Sequence, residues 1–218
     1  MGLLAVVSAD YLRKKLNAEL FAELYSPKNS VFLRNGVVEP ARIKHRFYHA
    51  NELIICIGEA QPPTPLEVKL VAGEVLELAR QFGVKRVYTI AASPILREAK
   101  ELRVFGIVND RRLLGEVGRY APAARGEGEI TGLNGVLLGE AKERGLEGIC
   151  LLGQIRYMDV PQFRSARLVL EILTKMLNVE VDLAELDEEA ERMEERVKQR
   201  LKRIERGKKE ERGLEYIG

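Results

Sequence analysis

The chain has no tryptophan, only two cysteines, and no marked excess of either charge. No apolar run approaches the roughly 20 residues of a membrane span, and the N-terminus has no signal-peptide pattern. Each absence closes a class. Cys56 and Cys150 sit singly in the apolar runs LIICIG and GICLLG. That usage rules out a disulfide framework and suits buried thiols in a reducing compartment. A soluble, cytoplasmic protein without membrane partners is expected. A net charge of +2 gives no electrostatic footprint for nucleic acid, and an aromatic share of 6% leaves little surface for stacking bases. Only two histidines occur, His45 and His49, in the segment IKHRFYHA. The neighbouring isoleucine, phenylalanine and tyrosine predict a strand. Four residues apart on a strand means about 13 Å, too far for one ion. No metal and no cofactor is expected.

What is present is a hydrophobic share of 46% over 218 residues, enough for one sizeable core with an appendage. The chain opens on a helical periodicity, with Val7, Tyr11, Leu12 and Leu16 marking a helix over 3–16. Strands are predicted at 19–24, 43–48 and 53–58, the last ended by Pro62, Pro63 and Pro65. A helix over 66–82 stops at Gly83, followed by strands at 84–92 and 104–108. Asn109 or Asp110 caps a helix running to about Tyr120, and 121–129 reads as loop. A helix over 131–144, a strand over 149–152 and a helix begun by Pro161 complete the core. Helices alternate with strands that are apolar on both faces. The expected class is α/β, a layered, mainly parallel or mixed sheet flanked by helices.

Composition changes beyond Asp182. From Asp187 to Arg212 most residues are charged, acids first and bases after, in the order the helix dipole favours. The apolar residues Leu183, Leu186, Ala190, Met193, Val197, Leu201 and Ile204 form a stripe one side chain wide. So thin a stripe predicts helix pairing or a projecting arm rather than burial in a core. The chain therefore divides into an α/β core over 1–181 and a charged C-terminal helix and tail over 182–218.

Gly132, Gly135 and Gly139 in ITGLNGVLLGEAKERGLEGICLLG suggest either a phosphate-cradling loop or close helix packing. GEGEITG (126–132) misses the GxGxxG spacing by one residue and follows a polar loop, and no GK[ST] is present. Packing is the favoured reading. An anion at the helix N-terminus beside Thr131 and Asn134 is the alternative. Glu59 and Gln61, just past the LIICIG strand, and Ser93, after the VYTIAA strand, stand where open α/β sheets hold ligands. No nucleophile–base pair can be assembled around them.

The segments GEAQPPTP, GVKRVYTIAAS, VFGIVND and GEITGLNGVLLGEAKERGLEGICLLGQ, in this order, resemble the proteasome assembly chaperone 2 family, its archaeal members above all. The resemblance spans about 2–195 and implies a phosphorylase/hydrolase-like α/β fold without enzymatic activity. Relatives open with a strand and a glycine-rich turn ahead of the stretch matched by GLLAVVSADYL, so a strand lost before Met1 is the expectation. The resemblance also implies binding to proteasome α subunits during ring assembly, by a homo-oligomer. Relatives and proteasome activators use a C-terminal hydrophobic–tyrosine–any-residue tail. Here Leu214, Tyr216, Ile217 and Gly218 would carry that contact, with tyrosine one place early. Two other readings are a nucleoside-type pocket at Glu59, Ser93, Thr131 and Asn134, and a coiled-coil oligomeriser with no proteasome role.

Overall fold

The computed structural model of the protein describes residues 3–95 and 101–214. α1 (Leu4–Lys15) leads into an antiparallel sheet of β1 (Glu19–Arg34), β2 (Val37–Ala50) and β3 (Leu53–Gly58), paired in that order. α2 (Pro65–Gln81) follows. A second sheet has β6 (Glu147–Ile155) at its centre, parallel to β4 (Arg86–Pro94) and antiparallel to β5 (Val104–Val108). A tight turn over Arg111–Leu113 runs into the short α3 (Leu114–Val117), and α4 (Gly132–Glu143) precedes β6. α5 (Phe163–Leu177) and α6 (Ala184–Leu214) close the chain. The mixed α/β class with helices flanking sheets is as expected, but there are two sheets rather than one.

Local chemistry explains most boundaries. Thr64 caps α2: its hydroxyl accepts from the Glu67 N–H at 3.3 Å, while the Glu67 carboxylate accepts from the Thr64 N–H at 3.0 Å. Pro65 stands at the first helical position, where a missing N–H costs nothing. β1 and β2 run ten and six residues beyond their expected limits at the ends that face each other, Leu24 giving way to Arg34 and Ile43 to Val37. The cause is Asn35-Gly36, with φ of +49° and +82°, the mirror-image turn that matches strand twist. The helix expected up to Tyr120 shrinks to two short turns, begun by Asp110 accepting from the Arg112 N–H at 2.9 Å. Gly115 and Gly118 weaken its continuation.

β6 is the buried centre. Ile149, Leu151 and Ile155 have no exposed surface; Leu4, Val169 and Leu170 of α1 and α5 cluster with Leu151 and Ile155, while Ile149 clusters with Leu113 and Val117. A separate cluster joins Phe47 of β2 to Val71, Ala72 and Leu76 of α2 and Leu137 and Ala141 of α4. α1 lies against both β3 and β4, strands that keep one edge unpaired among the described strands. Arg86 ties the second sheet to α3, donating to Glu116 at 2.6 Å and to Glu147 at 2.7 Å.

The thin stripe of α6 pairs with a helix, as its width predicts, but its first turns are buried in the core, which the sequence did not lead one to expect. Leu186 and Ala190 are buried, Leu186 in the same cluster as Val169 and Leu170 of α5. Arg164 pairs with Asp187 at 3.4 Å and Glu194 at 3.2 Å, and Arg167 with Asp187 at 3.2 Å. α5 thus supplies the second helix that so narrow a stripe requires.

Two predictions follow from this packing. A Cβ at Gly153 of β6 would lie 2.8 Å from Leu4 Cδ2 and 2.9 Å from Val169 Cγ2, so α1 and α5 both close onto the bare backbone there. Gly153→Ala should lower stability by about 1–3 kcal/mol through overpacking, read as a fall in Tm; an unchanged Tm would contradict this. His45 is fully buried in β2, its Nε2 3.3 Å from Ser26 Oγ and its Nδ1 without a partner. Burial holds its pKa below the ordinary 6.5, opposed only by the negative charge of Glu59. Below about pH 6.5 the unfolded chain takes up a proton that the folded chain refuses, so stability present above that pH is lost as pH falls toward the folded value. The Tm of the wild type should therefore drop more steeply from pH 7 to pH 5 than that of His45→Phe. Parallel slopes would show that His45 does not titrate differently on folding.

Candidate functional site

The C-terminal ends of β3 and β4 converge on the start of α4, the place where the sequence puts its pocket residues. Their polar groups are largely spent on one another. Gln61, in the loop after β3, accepts a hydrogen bond from the Leu133 N–H at 2.9 Å, so its amide occupies the α4 N-terminus that an anion would need. Asn134 donates from Nδ2 to the Ile90 carbonyl of β4 at 2.6 Å, fastening α4 to the sheet. Thr131 is the residue before the helix, but its hydroxyl caps nothing. Ser93 lies half-buried near the end of β4. Glu59 turns away toward β2, where its carboxylate pairs with Arg46 at 2.8 Å and accepts from the Lys44 N–H at 3.4 Å. Asn134 and Gln61 thus meet at the helix start, while Glu59 belongs to the neighbouring sheet face. Two clefts lie against α2, one between it and Phe47 and one beside Arg144 and Leu146, and neither is lined by Glu59, Ser93, Thr131 or Asn134.

The glycines answer to local geometry. Gly132 has φ +76°, which an L side chain rarely adopts, and stands 3.0 Å from Gln61 Oε1 at the position of a Cβ. A Cβ at Gly135 would overlap the Ile130 carbonyl at 1.9 Å. The first two glycines therefore let the loop before α4 fold back onto the helix. Gly139 faces open space, and nothing in its surroundings requires a glycine. Gln61 was named from the sequence only by position, and no spacing rule flags a side chain that caps a helix 72 residues away.

Reactive groups are quiet. Desolvation pushes the Cys56 thiol up to about 12 and raises Cys150 as well, so neither is a thiolate near neutrality. Among the described residues no three His, Cys, Asp or Glu side chains come together in a way that could hold a metal ion. No described helix is long and apolar enough to cross a membrane.

What remains prominent is surface. α6 continues for 20 residues beyond Glu194, which forms an ion pair with Arg164 of α5. The helix is described through Leu214, the first of the tail residues; Tyr216, Ile217 and Gly218 lie outside the described residues. The hairpin of β1 and β2 is the other exposed feature, with Val31, Phe32, Leu33, Val37 and Val38 all at its tip. The sequence carries a signal for it, Asn35-Gly36 between Val31-Phe32-Leu33-Arg34 and Val37-Val38, outside the expected strands ending at 24 and starting at 43.

Comparison with known proteins covers this whole framework. Residues 1–201 match the PAC2 family. The crystal structure of Pyrococcus furiosus PbaB, an archaeal proteasome activator, superposes with a TM-score of 0.79 at 32% identity, over 91% of this chain and 88% of that one. Pyrococcus furiosus PbaA, an archaeal homolog of proteasome-assembly chaperone, superposes with a TM-score of 0.77 at 30% identity, over 99% and 90%. An uncharacterized protein of Methanocaldococcus jannaschii is 27% identical, over the whole of this chain and 89% of its own length.

Proposed function

The chain belongs to the PAC2 family, and we propose that it is a non-enzymatic, ATP-independent chaperone or adaptor that binds proteasome α subunits or the α ring and assists 20S assembly. Likeness to PbaB and PbaA supports the general chaperone or adaptor role. The finer reading rests on the reach of α6. Twenty residues past Glu194 amount to about 30 Å of helix at 1.5 Å per residue, ending where the tail begins. A tail carried at that distance can enter a crevice between two large subunits while the α/β core stays outside.

In this reading the core is the platform and the tail is the contact. Leu214 is the hydrophobic anchor, Tyr216 and Ile217 insert, and the Gly218 carboxylate pairs with a cation of the client. Homo-oligomerisation multiplies the tails, so that several weak insertions act together through effective concentration. The basic second half of α6, from Arg196 onward, adds long-range attraction to an acidic rim and makes association sensitive to salt. The pocket reading loses its support at the α4 N-terminus, where Gln61 and Asn134 are already engaged.

The test is native mass spectrometry of α subunits from the same organism, mixed with the full chain or with a version ending at Arg212. A complex is expected with the full chain, weakened at least tenfold in the shortened one. Equal binding by both would move the contact to the core or to α6 itself. No complex with either would overturn the proteasome reading.

A further inference from the structure

α6 outruns the helix that holds it. Arg164, at the start of α5, reaches Glu194 at 3.2 Å, and α6 runs on to Leu214. A charged helix carried so far alone is marginal, because a packed apolar face supplies most of a helix's stability. The apolar stripe also continues. After the buried Leu186 and Ala190 come Met193 and Val197, both half-buried, and then positions 201 and 204.

Two symmetries meet at Val197. Ala190, Met193, Val197, Leu201 and Ile204 follow steps of 3, 4, 4 and 3, so the stripe has the same spacing in both directions from its middle member. Charge reverses about the same residue. The 13 residues before it, 184–196, hold seven acids and two bases, and the 13 after it, 198–210, hold seven bases and two acids. Net charge is therefore −5 on one side and +5 on the other. The helix dipole accounts for a bias in the first and last turns only, whereas this one fills both halves.

We propose that the α6 helices of two copies pair antiparallel about Val197, position 193 against 201 and position 190 against 204, the acidic half of each along the basic half of the other. A second copy is the occupant because the helix matches its own reverse in both apolar spacing and charge, which is what a two-fold interface requires. A parallel pair would set acid on acid and base on base. The ion pairs of Arg164 and Arg167 with Asp187 and Glu194 hold α5 on one flank of α6, and the second copy takes the other. Residues 188–206 overlap, about 28 Å of helix at 1.5 Å per residue. Each C-terminus then lies beside the other copy's core. Pairing is thus the form of the chain without a client, and it holds the tail back until the helices part. It requires no client, so it stands or falls separately from the proteasome reading.

Single cysteines at three positions test it on the chain alone: Met193→Cys, Val197→Cys and Leu201→Cys, mildly oxidised and run on non-reducing gels, with folding checked by circular dichroism. Cys150 is buried and the Cys56 thiol is pushed up to about 12, so neither competes. Val197→Cys should link to its counterpart, since the two face each other across the axis. Met193→Cys and Leu201→Cys should each stay unlinked alone, being offset from their own counterparts by eight residues, about 12 Å of helix, when a disulfide needs Cα atoms within about 7 Å. Mixed, these two should link to each other. Raising salt from about 0.05 M to about 1 M should slow the Val197→Cys linkage at least tenfold, as the screening length falls to about 3 Å. No dimer from Val197→Cys, or a rate indifferent to salt, would overturn the proposal. Self-linked dimers at all three positions would overturn it in favour of a parallel pair. A mixture of Met193→Cys and Leu201→Cys that stays unlinked would overturn it as well.

Discussion

Everything else in this molecule depends on covering both faces of β6. The strand has β4 and β5 on its two edges and helices against its sides, and Gly153 lets Leu4 and Val169 come down together on one point of it. That approach fixes α1 and α5. α5 in turn fixes the start of α6, through Leu186, Ala190 and the arginines at 164 and 167. The direction of the terminal helix is thus set by core packing rather than by the charged residues that make up most of it. At roughly 25 cal/mol per Å² the apolar burial outweighs the partly exposed ion pairs, which orient the helix more than they stabilise it.

The surface is organised by what that core leaves over. The β1–β2 hairpin runs well beyond the part of β2 that pairs with β3, and its far end, exposed from Val31 to Pro40, is held by its own strand pairing. The charged length of α6 likewise outruns α5. Two extended features projecting from one rigid platform suit a protein that works by contact. The strand ends and helix start where an α/β enzyme would hold a substrate are instead closed by Gln61 and Asn134. The proposed chaperone or adaptor role is one use of this design.

Most of the fold was legible because the periodicities were strong. α1, α2, α4 and the strand at 104–108 fall within a residue or two of where the apolar pattern sets them. The hairpin was not, because Ser26-Pro27-Lys28-Asn29-Ser30 reads as loop, and only the Asn35-Gly36 turn discloses the pairing beyond it. The burial of Leu186 was hidden for another reason. A thin stripe says that a helix needs a partner, but not whether the partner is in the same chain. At the pocket, sequence position placed Thr131 and Asn134 correctly at a helix start, yet the group that fills that start comes from Gln61, across 72 residues. Long-range polar contacts of this kind leave no periodic trace.

The most direct measurement places a photo-crosslinking amino acid at Tyr216 in the full chain, with assembled α rings from the same organism as the target. The account predicts crosslinks mapped by mass spectrometry to facing surfaces of adjacent α subunits. Crosslinks confined to the chain itself, under conditions where rings are present and intact, would contradict it.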